Sequence, residues 1–279
     1  MIAEIHRLGV SLHREVRRAG GELDPDHAAR LLLRAQGAVG SAGRQVVLSL
    51  AEADARLDVD DRGMLILARA PALDLPLTRV EFVVVDVETT GTRVGAARLI
   101  EVGAVRVRDG RCLDTFARLV DPGHPLPTAI TRLTGISAAM LQGAPPFARI
   151  AVEWLDFLGN GVLVAHNAPF DCSFLNHELI RCGEVPPTNP VLCSVRLARR
   201  LLPHLRSHSL DSLAHHLGLR FRQRHRALGD AEVTAQVLLL LLQRASARGL
   251  TTLGELQKLL RSPVPKDHGT DGTLEALGC

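Results

Sequence analysis

The spacing of apolar residues separates a small N-terminal module, residues 1–78, from a larger domain. Helical spacing predicts a first helix over residues 2–19, with an apolar stripe formed by Ile5, Leu8, Leu12 and Val16. An Asp-Pro pair at 24–25 predicts the start of a second helix, and residues 45–57 predict a third. Residues 56–68 alternate around Asp-Asp-Arg-Gly and predict a β-hairpin. The module is therefore predicted to be α+β, and a winged helix is one fold with this order of elements.

The patterns of residues 79–248 are typical of an α/β domain. Strands are predicted over 82–86, 99–107, 112–120 and 162–165, and helices over 147–158, 169–182, 195–202, 210–217 and 228–248. Antiparallel strands followed by strand–helix units predict a mixed sheet with helices on its faces. Residues 70–78 form the predicted linker. Residues 249–279 hold a predicted C-terminal helix and, from residue 262, a mobile tail rich in Pro, Gly and polar residues.

Composition narrows the class of protein. The 279 residues are 46% hydrophobic with a mean hydropathy of +0.12, which is enough for a sizeable core. The five cysteines are scattered, without a metal-ligand spacing, and such usage indicates a reducing, cytoplasmic location rather than a disulfide framework. The longest apolar run, residues 237–242, is too short to cross a bilayer, so no membrane partner is expected.

The net charge of +3 is small, but its distribution is uneven. Residues 195–226 contain eight arginines and a single acid, Asp211. This excess indicates contacts with the phosphates of a polyanion. The alternative is a general preference for arginine over lysine, which explains the residue type but not the local lack of acids.

Two acids end the first predicted strand of the larger domain. Because side chains alternate along a strand, Asp86 and Glu88 should leave the same face and offer two oxygen ligands of the kind that Mg²⁺ or Mn²⁺ prefers. Thr89, Thr90 and Gly91 then form a turn whose backbone can approach a nucleotide. Taken alone, this motif is also typical of an exposed strand end with two solvated acids.

Two further motifs occupy the starts of helices. Asp171 lies in the predicted first turn after Pro169, where an acid can also simply complement the helix dipole. His225 and Asp230 are five residues apart, about 140° on a regular helix, so His225 should lie on the preceding loop. From a loop, an imidazole can approach a water molecule and take its proton near neutral pH. A surface histidine in an arginine-rich loop is the alternative.

Together the motifs resemble those of the DEDDh (DnaQ-like) 3′–5′ exonucleases, in the branch that contains the epsilon proofreading subunit of bacterial DNA polymerase III. The resemblance covers residues 80–245 and rests on FVVVDVETTG, LTGI at 133–136, HNAPFDCSFL and HRALGDAEVTA, in this order. It implies a ribonuclease H-like fold and the removal of nucleotides from 3′ ends.

The resemblance also implies the roles of individual residues. Two divalent ions, Mg²⁺ or Mn²⁺, would be held by Asp86, Glu88, Asp171 and Asp230, with His225 as the general base. The terminal nucleotide would lie against Thr89, Thr90, Gly135, Asn167 and Phe170, with Ser209 lining the groove.

The leading hypothesis is thus an exonuclease acting on single-stranded or frayed DNA 3′ ends, with a DNA polymerase or a repair protein as partner. An exoribonuclease that trims RNA would use the same fold and ligands. From another class, the chain could be a tethering protein with a catalytically weak exonuclease fold. For the N-terminal module, protein contact or docking is favoured over DNA binding, because its predicted third helix carries Glu52 and Asp54 against Arg56 alone.

Overall fold

The computed structural model describes residues 2–35, 37, 39–54, 56–68 and 71–262, with only the backbone of residues 2–7 and 10. The N-terminal elements are α1 (Ile2–Arg18), β1 (Glu22–Leu23), α2 (Pro25–Leu33), α3 (Gly40–Ala53), β2 (Leu57–Val59) and β3 (Leu65–Leu67). The first part of the larger domain contains β4 (Phe82–Thr89), β5 (Leu99–Arg108), β6 (Arg111–Leu119), α4 (Thr128–Thr134), α5 (Ala138–Leu141) and α6 (Phe147–Leu158). The second contains β7 (Val162–Ala165), α7 (Ala168–Arg181), β8 (Val191–Cys193), α8 (Ser194–Leu201), α9 (Leu210–Leu217), α10 (Ala227–Ser246) and α11 (Leu253–Arg261). The predicted mobile tail after residue 262 lies outside the described residues.

The N-terminal module combines helices with a small antiparallel sheet of order β1-β3-β2. Asp24 begins α2 as predicted, because its carboxylate accepts the N–H of His27 at 2.9 Å and Pro25 needs no partner for its missing N–H. Leu12 and Val16 of α1 are buried in the core of the module. The hairpin is confirmed as β2 paired with β3, whereas the winged-helix fold stays a prediction.

The larger domain is built on a mixed sheet of order β6-β5-β4-β7-β8. Strand β4 is central, antiparallel to β5 and parallel to β7. Both faces of this strand are covered by helices. Val83, Val85 and Val87 face α6 and α7, with Trp154 and Phe174 in the same core. The opposite face of β4 carries Phe82 and Val84 and packs against α8, α9, α10 and α11. The predicted mixed sheet flanked by helices is confirmed.

The N-terminal module contacts the larger domain through charged side chains. Arg56 has a side chain only 7% exposed, pairs with Asp54 at 2.5 Å and contacts Asp156 at the end of α6. Arg14 pairs with Glu184 at 2.9 Å, in the segment between α7 and β8. These ion pairs join the two units along the side of α6 and α7.

This contact lies far from the other end of the central strand. A cavity of about 480 Å³ is lined by Leu50 and Arg56 of the module and by Glu81 and Gly161, which precede β4 and β7. Strand β4 spans 8 residues, roughly 26 Å. The module therefore lies at the opposite end of β4 from Glu88.

Most predicted element bounds agree with the structure, and the exceptions have local causes. The predicted helix over 45–57 is wrong at both ends, since α3 begins at Gly40 and ends at Ala53. The chain leaves the helix there because the Asp54 carboxylate accepts both the N–H and the guanidinium of Arg56. Elements α4, α5, β1 and β8 had no clear pattern and were not predicted. The predicted linker is fastened by hydrogen bonds between its residues 73, 75 and 77 and residues 254, 253 and 251.

Within the part of the chain that the structure describes, every helix is too short or too polar to span a lipid bilayer.

We expect the Arg56→Ala variant to lower the free energy of unfolding by about 3–5 kcal/mol, because it leaves the largely buried Asp54 and Asp156 without their cation. Urea denaturation followed by circular dichroism measures this loss. The control is Arg118→Ala, which breaks an exposed pair with Glu153 and should cost less than about 1 kcal/mol. Equal losses in the two variants would contradict the burial of Asp54 and Asp156 around Arg56 at the contact between the units.

Candidate active site

Asp86 and Glu88 extend the α10-facing side of β4 to the end of the sheet. They continue the alternation of Phe82 and Val84, and both are only partly exposed, while Val87 between them is buried on the other side. The predicted shared face is therefore confirmed. The alternative of an exposed strand end with solvated acids is wrong.

Asp171 reaches the same strand from the start of α7. Asn167 precedes the helix in the left-handed conformation, with a φ of 76°, and this turn brings the chain from β7 into α7. Asp171 is 3% exposed, and its carboxylate lies near the backbone N–H of Val87, the residue between Asp86 and Glu88. The N-terminus of α7 thus delivers a third carboxylate to the end of β4.

His225 lies on the loop before α10, as the five-residue spacing predicts. Its backbone is left-handed, with a φ of 58°, and its N–H lies near the carboxylate of Asp230 in the first turn of α10. Two glycines allow the first turn of α10 to lie close to the loop before it and to strand β5. A Cβ on Gly229 would lie 2.1 Å from the carbonyl oxygen of Gln223, and one on Gly103 of β5 would lie 2.1 Å from the nitrogen of Leu228.

Three of the predicted residues lie close enough together to bind a single metal ion. The ligand atoms of Glu88, His225 and Asp230 all lie within 4.8 Å of one another. Asp86 and Asp171 interact electrostatically with this group, and they line the strand and helix beside it. The structure therefore brings all five predicted residues, from four separate elements, to one end of the sheet.

The carboxylates disfavour their own ionisation. Burial, followed by the negative charges of Asp171, Asp230 and Glu88, raises the pKa of Asp86 well above its usual value. Burial and then the charge of Asp230 raise the pKa of Glu88 to about 7, and burial raises that of Asp171 to about 8. Burial also raises the pKa of Asp230, against the charge of Arg224.

The residues fit a divalent cation. Oxygen ligands with one imidazole suit hard and borderline cations, whose charge offsets the repulsion among the acids. Among the described residues, Oδ1 of Asp230 is buried and has no hydrogen-bond partner. A buried carboxylate oxygen in this state is suited to bind a cation. Glu88, Asp230 and the neighbouring Asp86 and Asp171 could hold such ions.

The turn at the end of β4 is stabilised by hydrogen bonds of the Thr89 and Thr90 hydroxyls with the backbone. The Thr90 hydroxyl accepts the N–H of Arg98 at 3.0 Å, and that of Thr89 donates to the carbonyl of Gly91 at 2.6 Å. Arg98 in turn forms a bidentate ion pair with Glu178 of α7. Glu178 is only 2% exposed. Both threonines lie beside the acids, with their hydroxyls engaged by the backbone.

The remaining residues predicted to contact the nucleotide do not all lie together. Asn167 and Ser209 line one groove of about 980 Å³, together with His166, Arg199 and Arg206. The Ser209 hydroxyl also caps α9 by accepting the N–H of Ser212 at 3.2 Å, so it is partly engaged.

Phe170 and Gly135 have local structural roles as well. The ring of Phe170 packs on Phe174 with centroids 4.9 Å apart. Gly135 is exposed and ends α4 with a φ of 70°, a conformation that favours glycine. The structure does not bring Gly135 into a described contact with the acids.

The pattern of residues did not reveal two ion pairs beside the acids. Arg224 contacts Asp230 and pairs with Asp211 at 2.8 Å, and Arg226 pairs with Glu101 at 2.6 Å. These two arginines are thus engaged with carboxylates rather than free for phosphates. Glu101 could have been found from the sequence, as a lone acid in the apolar run of β5.

The chain has relatives of known class. It is 42% identical over 158 residues to the PolC-type DNA polymerase III of Clostridium perfringens, covering 57% of this chain and 11% of that one. It is also 42% identical over 186 residues to a DNA polymerase III subunit epsilon-like protein of Rhodobacter capsulatus, covering 65% and 26%. The chain therefore corresponds to a minor part of the length of these curated relatives.

A solved structure and a family profile agree with this relationship. Exonuclease X, determined in complex with 5′-overhanging duplex DNA, is 26% identical and superposes with a TM-score of 0.52, covering 64% of this chain and 99% of that one. The profile of the RNase_T exonuclease family matches residues 83–238, more than half of the chain, and this range contains all five clustered residues. The chain therefore belongs to the RNase_T family of exonucleases, and its larger domain is a nuclease domain of the DnaQ-like, DEDDh type.

Proposed function

We propose that the protein is a metal-dependent 3′→5′ exonuclease that releases nucleoside 5′-monophosphates from DNA. The observation that carries the proposal is the convergence of Glu88, His225 and Asp230 within 4.8 Å, with Asp86 and Asp171 beside them. A tethering protein with a weakened site would not need five such residues, four of them acids that repel one another.

Exonucleases of this fold use divalent metal ions, and we infer two of them here. Four carboxylates, those of Asp86, Glu88, Asp171 and Asp230, offer enough oxygen ligands for two divalent cations, whose charge would offset the repulsion among the acids. When bound, the ions would lower the pKa of an attacking water and stabilise charge on the phosphate and the leaving 3′-oxygen. Either Mg²⁺ or Mn²⁺ suits the oxygen ligands.

The protein groups have separate tasks in this proposal. His225 takes the proton of the attacking water, from a loop that places its ring beside Glu88 and Asp230. Thr89 and Thr90 shape the turn against which the terminal nucleotide lies, with Asn167 and Phe170 at the start of α7. Arg199 and Arg206 line the adjacent groove, where they would neutralise phosphates of the same strand.

DNA is the proposed polymer because the similar proteins named above are DNA polymerase III proteins and an exonuclease bound to DNA. The same names support a polymerase or repair protein as partner. The N-terminal module, at the far end of β4, is proposed as the part that docks such a partner rather than as part of the reaction. The cytoplasmic location stays a prediction from the cysteine pattern.

The direct test follows 5′-labelled single-stranded DNA and its RNA counterpart with Mg²⁺ or Mn²⁺. We expect a ladder that shortens from the 3′ end, faster on DNA, and absent with Asp86→Ala. The matched control is Asp114→Ala, which removes an exposed acid of β6 and should leave the rate unchanged. Faster trimming of RNA would identify an exoribonuclease, and no cleavage of either polymer would favour the tethering protein.

The His225→Ala variant should lower the single-turnover rate by about 10²–10⁴-fold, because the water loses its proton acceptor. The affinities for Mn²⁺ and for DNA, measured by calorimetry and fluorescence anisotropy, should stay nearly unchanged. His215→Ala, which removes an exposed histidine of α9, serves as the control. If His225→Ala instead abolishes Mn²⁺ binding, the imidazole is a ligand and not the base.

The metal-free protein should lose stability as the pH rises from about 6.5 to about 8. Glu88 and Asp171 have folded-state pKa values of about 7 and about 8, above their ordinary values of 4.5 and 3.8, so the folded state holds more protons than the unfolded state in this window. Below about pH 6.5, His13 and His166 act in the opposite sense, because burial lowers their pKa values to about 3 and about 4.

Thermal unfolding across this window, with a chelator and then with Mg²⁺, measures the effect. Mg²⁺ competes with the protons, so the rise in Tm that it causes should grow with pH. Asp171→Asn removes one of the titrating acids of the cluster and should make the metal-free curve less steep. A metal-free Tm that climbs through the same window would contradict the clustering of the acids.

A further inference from the structure

His225 lies between two arginines that pair with carboxylates, and Nη1 of Arg224 lies 3.4 Å from Nδ1 of the His225 ring. Arg224 donates from Nε and Nη2 to Asp211 at 2.8 and 2.9 Å, and Arg226 donates from Nε and Nη2 to Glu101 at 3.0 and 2.6 Å. The two anchors differ in burial. Asp211 has a side chain 63% exposed, whereas that of Glu101 is 5% exposed. Arg224 also contacts Asp230, whose side chain is 5% exposed, but Asp230 is one of the proposed metal ligands. The Glu101–Arg226 pair is therefore the buried attachment of the loop that involves no proposed metal ligand.

Glu101 binds backbone as well as side chain. Its carboxylate accepts the N–H of Ala227, the first residue of α10, at 2.9 Å. Among the described residues, Arg226 as the N-cap makes no side-chain capping bond of its own, so Glu101 supplies the cap from another element. A buried carboxylate is tolerated only when its hydrogen bonds are made, and here three donors surround it.

The position of Glu101 ties this cap to the acids. Glu101 on β5 is the cross-strand partner of Glu88 on β4. The residue that pairs with Arg226 therefore lies directly opposite one of the acids of the active site. Gly103, two residues further along β5, lets α10 approach the sheet closely. The start of α10 is thus fixed relative to Glu88 by a charge contact and by close packing.

The backbone of His225 needs such fixing. A non-glycine residue at a φ of 58° is strained and keeps this conformation only when its surroundings stabilise it. Arg226, the next residue, cannot rotate without breaking its bonds to Glu101. The anchored Arg226 therefore restrains the chain directly after the left-handed turn at His225, whose ring lies beside Glu88 and Asp230.

We propose that Glu101 and Arg226 are a positioning pair for His225: they hold its loop in the reactive conformation without touching substrate or metal. The proposal rests on the proposed function, in which His225 is the base. It assigns to Arg226 a role within the fold of the site, and not the phosphate contact that the arginine-rich segment suggests.

The test is a set of double-mutant cycles in the full-length protein with saturating Mn²⁺. Glu101→Gln, Arg226→Gln and Arg226→Lys are each made in the wild-type and in the His225→Ala background, and single-turnover cleavage of 5′-labelled DNA is followed. In the wild-type background we expect Glu101→Gln and Arg226→Gln to slow cleavage about 10–100-fold, with Mn²⁺ and DNA affinities within about twofold. Arg226→Lys should fall between these variants and wild type, because it keeps the charge but not the two-pronged bond.

In the His225→Ala background the same substitutions should slow cleavage by less than about twofold, since no imidazole remains to be positioned. Arg118→Gln, which breaks an exposed pair with Glu153, is the control and should have no effect in either background. Melting temperatures are recorded for every variant. If Glu101→Gln does not fold, Arg226→Lys still decides the question, because it leaves a cation beside Glu101.

Three results would overturn the positioning pair. They are an equal slowing in both backgrounds, a fall in Mn²⁺ affinity that accounts for the slowing, and no slowing at all. An equal slowing would mean that the pair acts through the acids or the fold, and a metal effect would mean that it acts through Glu88. Failure of the proposed function is distinguishable, because the wild-type protein would then cleave neither polymer, and failure of His225 as the base would leave His225→Ala cleaving at the wild-type rate.

Discussion

The burial of several carboxylates at one end of a central strand is the constraint on which the site depends. Each acid is costly to bury, and after burial the charges of Asp171, Asp230 and Glu88 raise the pKa of Asp86. The fold offsets part of this cost by aiming two helix N-termini at the acids, since α7 begins just before Asp171 and α10 just before Asp230. The remainder is left for cations, which is why the same arrangement that destabilises the metal-free protein can bind metal and act on a phosphodiester.

The close approach of α10 to the sheet follows from this constraint. Asp230 can join the acids of β4 only if the first turn of its helix lies directly on β5, and Gly103 removes the side chain that would prevent it. Glu101 then caps the helix from the sheet and pairs with Arg226. One strand thus provides the space, the cap and the counter-charge that bring His225 beside Glu88.

The two ends of the sheet have different tasks. The carboxyl end of β4 carries the acids, while the residues before β4 and β7 border the contact with the N-terminal module. Ion pairs such as Arg56 with Asp54 and Asp156 lie at that contact, where each largely buried acid has a cation beside it. A module attached there leaves the groove beside His166 and Asn167 open to a strand of nucleic acid.

The sequence by itself determined the mixed sheet, most of its helices and the five clustered residues, because these depend on local patterns. Strand alternation decides that Asp86 and Glu88 share a face, and a five-residue spacing decides that His225 precedes the helix of Asp230. Only the tertiary structure decided what the arginines do. Arg224 and Arg226 find their carboxylates 13 and 125 residues away along the chain, so local charge could not distinguish a positioning ion pair from a phosphate contact. The same holds for Ser209, whose hydroxyl is engaged by a helix cap, and for the docking of the N-terminal module, since contacts between distant segments depend on how the elements pack.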